Sequence, residues 1–174
     1  MLGLKRGVLA LSPHCTEWAS LYATEHKLLL QIVGDAALDI QHVGSTALPG
    51  MIAKPILDIA MLTGSLDNIE SFIPDLVHVG YAYRGEQGIP GRHLFAKGDP
   101  VTHHLHVTLP GCDNWQKQIY FRDYLLAHQN LAATYADLKQ LLVNRPGITR
   151  KAYSEGKSSF IERVLQDACK FYAS

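Results

Sequence analysis

Apolar residues recur early in the chain at helical spacing, namely Trp18, Leu21, Tyr22, Leu28, Leu29 and Ile32, and Gly34 stands where such a helix would stop. The period then changes. Leu38 to Val43 reads as a short strand and the apolar run from Lys54 or Pro55 to Leu62 as a buried one. Leu66, Ile69, Phe72, Ile73 and Leu76 form the inward stripe of a second helix. Beyond Gly80, Tyr81 to Arg84, Arg92 to Lys97 and His103 to Leu109 read as strands. The first two are separated by the Gly-rich stretch Gly85 to Gly91, the last two by Gly98-Asp99-Pro100. After Pro110-Gly111 the helical period returns, first in Trp115, Ile119, Leu125 and Leu126, then in Leu131, Tyr135, Leu138, Leu141 and Leu142, and last in Tyr153, Phe160, Val164, Leu165 and Phe171. Asn144-Arg145-Pro146-Gly147 separates two of these helices, and no repeat or low-complexity linker divides the chain. The pattern predicts one α+β domain over residues 1–174. It should hold a mixed sheet of about four to five strands with helices on one face, followed by a helical C-terminal third.

Composition narrows the function. A hydrophobic content of 47% in 174 residues suffices for a substantial core. Sixteen basic and sixteen acidic residues cancel, with a pI of about 7.1, so no overall field draws a nucleic-acid backbone; a local patch stays open. Cys15, Cys112 and Cys169 are widely spaced and odd in number, which fits a reducing compartment better than a disulfide framework. Pro13 interrupts the opening MLGLKRGVLALSPH before it can make a signal peptide, and no apolar run reaches membrane-spanning length. A soluble cytoplasmic protein is expected, and a protein partner or a second copy of the chain is left open.

The chemistry concentrates in Gln41 to Met61, QHVGSTALPGMIAKPILDIAM. Gly44, Ser45 and Thr46 make a corner that offers backbone N–H groups and two hydroxyls to a phosphate, with the glycine permitting close approach. Pro49-Gly50 and Pro55 are backbone devices that turn this loop back toward the next strand. On that strand Asp58 is a lone acid among aliphatic residues. Such a carboxylate is expensive to bury unless it binds a metal, pairs with a base or faces water at a strand end.

These residues belong to a longer series: Glu17-Trp18, HVGSTALPG with AKPILDI, PGRHLF at Pro90 to Phe95, THHLHV at Thr102 to Val107, FRDYLLAH at Phe121 to His128, the helix of Tyr135, Leu138 and Lys139, and AYSEGKSSFI at Ala152 to Ile161. In this order, over nearly the whole chain, they resemble the GrpB family, small bacterial proteins grouped with the nucleotidyltransferases of the DNA polymerase β type. The resemblance implies a nucleotidyltransferase-like fold, a nucleotide or other phosphorylated small molecule as ligand, and a divalent metal (Mg, Mn or Zn). It puts Gly44, Ser45 and Thr46 on phosphate and makes Asp58 the first metal-binding acid, so that Asp58 and Ser45 become the catalytic candidates. The superfamily usually carries a second acid two residues later, and here that position is Ala60. One Asp alone does not hold two Mg²⁺ ions.

His104 and His106 are the compensating candidates. A spacing of two on a strand puts both imidazoles on one face and His103 on the other. Together with Asp58 they suit Zn²⁺, Mn²⁺ or Fe²⁺ as ligands; equally, they suit an unmetallated, hydrogen-bonded polar pocket. Lys54 and Arg92 flank the strands and are candidates to neutralise phosphate charge, although an isolated Lys or Arg is commonly plain surface basicity. Glu86, in GEQGIPG, is a candidate third acid at the pocket rim, and Lys157 and Arg122 are the helical residues selected as able to reach the sheet. His42 reads as a structural residue, and Trp115, Tyr120, Phe121 and Tyr124 as core. Three functions follow for comparison: a metal-dependent nucleotidyltransferase-like protein, an accessory interaction module with a vestigial pocket, and a metal-dependent phosphohydrolase.

Overall fold

The computed structural model describes residues 2–173 and holds one mixed sheet in the order β1-β2-β5-β4-β3. The strands are β1 (Ala37–Val43), β2 (Leu57–Thr63), β3 (Tyr81–Tyr83), β4 (Arg92–Lys97) and β5 (His103–Thr108). β2 and β5 run parallel at the centre, and the other neighbours are antiparallel. The helices among the described residues are α1 (Glu17–Val33), α2 (Leu66–His78), α3 (Asp113–Ala127), α4 (Gln129–Val143), α5 (Arg150–Glu155) and α6 (Ser158–Ala173). The α+β class, the mixed sheet and the helical C-terminal part are as the pattern predicts.

The period of two along the central strands decides where the core ends and the chemistry begins. Ile59 and Met61 of β2, Leu105 and Val107 of β5 and Phe95 of β4 point to one face, where Leu29 and Val33 of α1 and Ile69, Phe72 and Leu76 of α2 cover them. Each such side chain is fully buried or nearly so, worth about 1.5–3 kcal/mol apiece. The alternate residues, Asp58 and Ala60 on β2 and His104 and His106 on β5, are thereby turned to the opposite face. Over that face α3 reaches β1 and β2. A second apolar cluster joins Leu48 and Met51, in the connection after β1, to Tyr124, Leu125, Tyr135, Val164 and Ala168 of the C-terminal helices. This cluster fixes the helical third against the loop that carries the Gly-Ser-Thr corner.

Several strand ends shift by one residue, and two boundaries depart further from the expected ones. β2 begins at Leu57 rather than at Lys54 or Pro55, because Ala53 exchanges backbone hydrogen bonds with Ser12 and the Ile56 N–H turns back to the Lys54 carbonyl at 2.7 Å. The last apolar stripe is divided at Gly156-Lys157 into α5 and α6. A Cβ at Gly156 would stand 2.6 Å from Leu142 Cδ2, so the Leu142 side chain of α4 fills the space beside this glycine. Tyr124 is core, with Tyr120 and Phe121 against it, whereas Trp115 is half-buried on the rim of a groove beside Leu62 and Leu109. The Leu66 side chain lies outside the described residues. No helix among the described residues is long and apolar enough to cross a membrane.

Beneath the core face lies a buried ionic network. Glu25 of α1, 8% exposed at its side chain, accepts hydrogen bonds from Lys97 Nζ at 2.7 and 2.9 Å and from the Tyr81 hydroxyl at 2.9 Å. Removing one partner of such a pair strands the other. Glu25→Ala is expected to cost about 3 kcal/mol, the low end of the usual range because Lys97 keeps some solvent contact. Urea unfolding of the two proteins measures it, and a loss below about 1 kcal/mol would contradict the assignment.

Candidate functional site

On the opposite face, register brings the acid and the imidazoles together. Asp58 pairs with His104 across the parallel β2–β5 ladder, and Ala60 with His106. Asp58 Oδ1 is 3.2 Å from His104 Nδ1 and 3.3 Å from His106 Nε2. Burial alone would push the Asp58 carboxyl up. The hydrogen bonds to both imidazoles, together with their charge, outweigh this and hold it well below the usual carboxylate range. The three groups each offer a ligand atom, all within 4.8 Å of one another. One carboxylate oxygen with two imidazole nitrogens is a donor set for a transition metal, not for paired Mg²⁺. His106 Nδ1 is also buried without a hydrogen-bond partner among the described residues, a need the protein itself leaves unmet. His103 points the other way and is buried near Glu25.

The Gly-Ser-Thr corner closes over Asp58. Gly44 has φ 69° and ψ −169°, and a Cβ there would sit 2.7 Å from Asp58 Oδ2. Each hydroxyl of the corner is matched to a base. Thr46 Oγ1 is 3.0 Å from His42 Nε2, and Lys139 Nζ donates to Ser45 Oγ at 3.0 Å and to the Ile52 carbonyl. Burial, opposed by Asp58 and helped by the Arg122 charge, takes His42 down to about 4, so its imidazole is neutral at physiological pH.

Between this corner and the C-terminal helices lies a cavity of about 190 Å³, lined by Ser45, Thr46, Asp58 and His104 on one side and by Lys54, Lys139, Arg150 and Lys157 on the other. Four cations thus face one carboxylate. They crowd around aromatic rings, with Lys54 and Lys157 4.9 and 4.6 Å from the centroid of Tyr153 and Lys139 4.7 Å from that of Tyr135. Burial lowers the Lys54 amine to about 8, with Lys157 and Arg150 adding to the fall and Asp58 opposing it. Burial and then Lys157 take Lys139 to about 7. Lys157 itself is lowered by burial, against the pull of Asp58. A larger groove of about 370 Å³ beside Leu48, Met51 and Leu125 has no titratable group in its lining.

Of the residues singled out in the sequence, Ser45, Thr46, Lys54, Asp58, His104 and Lys157 line this cavity, Gly44 packs on Asp58, and His106 bonds to it. Arg122, Arg92 and Glu86 do not join them. Arg122 clamps α3 to β1, donating to Gln41 Oε1 at 2.9 Å and to the His42 carbonyl at 2.8 Å, and it pairs with Asp123. Arg92 pairs with Thr108, four residues along β5 from His104, and donates to the Glu86 and Gln87 carbonyls. The Glu86 carboxylate accepts from the Gly91 N–H at 2.6 Å, so both residues brace the Gly85–Gly91 loop. Lys139, Arg150 and Tyr153 were not selected from the sequence. Lys139 was within reach, since Tyr135, Lys139 and Leu142 recur at i, i+4 and i+7 and all three are buried. Tyr153 stood in the sequence only as part of the last apolar stripe and its motif, and nothing local marks Arg150.

The profile of the family described as GrpB protein matches residues 8–167. The chain belongs to the GrpB family. A glutamate-rich protein GrpB of Alkalihalophilus pseudofirmus is 35% identical over 173 residues, 96% of this chain and 99% of that one. The UPF0157 protein YqkA of Bacillus subtilis is also 35% identical, over 87% of this chain but only 45% of its own length. A dephospho-CoA kinase of Mycolicibacterium paratuberculosis is 25% identical over 95% of this chain, which spans 47% of it. Among solved structures, the conserved protein GrpB from Enterococcus faecalis superimposes with a TM-score of 0.86 at 30% identity, over 95% of this chain and all of that one. The Cid1 poly(U) polymerase gives 0.51 at 16% identity, over 75% of this chain and 41% of its own, a likeness of nucleotidyltransferase-like fold.

Proposed function

We propose that this GrpB chain binds a nucleotide or another phosphorylated small molecule, phosphate end first, beside a divalent transition metal held by Asp58, His104 and His106. The observation that carries the reading is the concentration of Lys54, Lys139, Arg150 and Lys157 in one cavity that also holds Asp58 and the two hydroxyls of the corner. Burial lowers each of the three amines, and a neighbouring positive charge adds to the fall at Lys54 and Lys139. A polyanion relieves that cost. At 190 Å³ the cavity is below the usual range for a whole drug-sized ligand, which suits it to a phosphate chain rather than to a base and sugar as well. When bound, the metal would neutralise charge on a phosphoryl oxygen. The lysines would orient the phosphates, and Ser45, donating or accepting beside Lys139, would fix the one nearest the corner. Nucleotidyl or phosphoryl transfer is the reaction this constellation suits.

Calorimetry with ATP, GTP, CTP and UTP in the presence of Mn²⁺ tests it. Binding weakened by Ser45→Ala is expected; no heat with any of the four overturns the reading. The pH dependence has a definite sign. A bound polyanion favours the charged lysines and raises their pKa, so binding at pH 8 takes up protons on Lys139 and Lys54. Affinity is then fully developed below pH 7 and falls as the pH rises through about 7 and 8, by up to about tenfold per unit for each lysine neutralised. Titrations in buffers of different ionisation enthalpy read the uptake, and no buffer dependence at pH 8 would contradict the lysine assignment.

Ala60 and the likeness to half of a dephospho-CoA kinase favour a second reading, an accessory module whose pocket has lost its chemistry. It requires Asp58→Ala to leave cellular function intact while changes on the helical surface abolish it. Release of inorganic phosphate from phosphoesters with Zn²⁺ or Mn²⁺ would instead assign a phosphohydrolase.

A further inference from the structure

A second cavity, of about 200 Å³, adjoins the first and shares His104, Ile56 and Arg150 with it. Its floor is apolar, with Leu4, Leu94 and Ala96 among the residues that form it, and its rim carries three guanidiniums, Arg6, Arg84 and Arg150. No carboxylate lines it. None of the three guanidiniums enters an ion pair among the described residues, although Asp and Glu are as numerous in the chain as Lys and Arg.

The backbone around this cavity is held in place. Leu4 exchanges both backbone hydrogen bonds with Val101, at 2.9 and 3.0 Å, which fixes Arg6 two residues away. Arg84 and Gln87 stand on the segment braced by Arg92 and Glu86. Gln87, which also lines the cavity, has φ 49°, the one positive φ at a non-glycine residue among those described. Its amide donates to the Arg84 carbonyl at 2.6 Å. A left-handed glutamine is uncommon and is retained where surrounding structure enforces it, often beside a ligand.

We infer that this is a second anion subsite, which takes the phosphate or carboxylate of a second substrate and presents that substrate to the first cavity across His104. The inference rests on the first cavity being a phosphate site, as proposed above. A base or ribose has no use for three unpaired guanidiniums, whereas a compact anion engages each through its planar fork. His104 lies on the boundary of the two cavities, so a group held by the arginines meets the phosphate held by the lysines there. The co-substrate is therefore an anionic small molecule, and a neutral acceptor or water is not.

Inorganic phosphate titrated into the full chain without metal, followed by ³¹P NMR and calorimetry, tests this. Two binding events are expected. The double variant Arg6→Gln/Arg84→Gln should remove one of them, weakening it at least tenfold, and leave the other. Lys157→Gln should do the reverse. Both arginines are exposed, so unfolding does not confuse the result, and an unchanged melting temperature verifies that. Absence of binding, or a single event whichever residues it depends on, overturns the second subsite. If that single event is sensitive to Lys157 alone, the proposed phosphate site survives. If two events persist in the arginine double variant, the subsite is likewise overturned. A single event sensitive to the arginines alone removes the phosphate reading as well.

Discussion

Gly44→Ala is expected to abolish polyanion binding, lowering affinity more than about 100-fold, while the chain still folds. Two effects combine at this position. At φ 69° and ψ −169° the backbone occupies a region essentially restricted to glycine, so any side chain costs about 1–3 kcal/mol. In a chain of 174 residues that is a fall in Tm of about 2–12 °C. The second effect is local. The new Cβ would stand 2.7 Å from Asp58 Oδ2 and 3.0 Å from Asp58 Cβ, and the latter is fixed to the central strand. Relief therefore comes from moving the corner away or from turning the carboxylate off His104 and His106. Either movement disconnects the hydroxyls from the acid. Calorimetry with ATP and Mn²⁺, alongside a melting curve, measures both effects. A variant that melts lower yet binds as tightly as the parent would show that the corner does not hold phosphate.

Asp58→Asn is the second large effect. Its carboxylate supplies the one oxygen of the three-atom ligand set and sits nearly equidistant from two imidazoles. An amide keeps the shape, loses the charge and offers a far weaker ligand. The parent protein is expected to bind Zn²⁺ or Co²⁺ at one site, and Asp58→Asn to weaken it by about 100-fold or more. That exceeds what the loss of a supporting outer-shell group usually costs. The visible spectrum of the Co²⁺ form reports ligand number and geometry without any assay of activity. Equal Co²⁺ spectra and affinities for the two proteins would sink the metal site and leave a hydrogen-bonded Asp-His-His cluster. Because Asp58 keeps 34% exposure, its replacement is not expected to unfold the chain.

The strands and most helices were legible because their periods are long and clean. β4 begins and ends as the pattern predicts, and Gly34 terminates α1 as anticipated. Errors arose where contacts between distant segments overrode local signals. Ser12 pairs with Ala53 and delays β2, and the Leu142 side chain packs against Gly156 where the last stripe divides. Arg92, Glu86 and Arg122 illustrate a different failure. Sequence shows that a charge is present near a motif but not which carbonyls it will satisfy, and all three satisfy loop or strand backbone.

By itself the sequence determined the class of fold through its pattern along the chain, the family through an ordered series of motifs over nearly its whole length, and, through spacing within a few residues, the corner at Gly44 and the sharing of one strand face by His104 and His106. Only the tertiary structure decided that Asp58 lies opposite those imidazoles, that Lys139, Arg150 and Lys157 gather over them from separate points of the helical third, and that three arginines far apart in the chain rim one adjoining cavity. The physical reason is that charge acts through space. A lysine 81 residues along the chain from Asp58 shares its cavity because apolar packing of Tyr135 and Leu142 sets α4 there, and no local pattern encodes the distance that results.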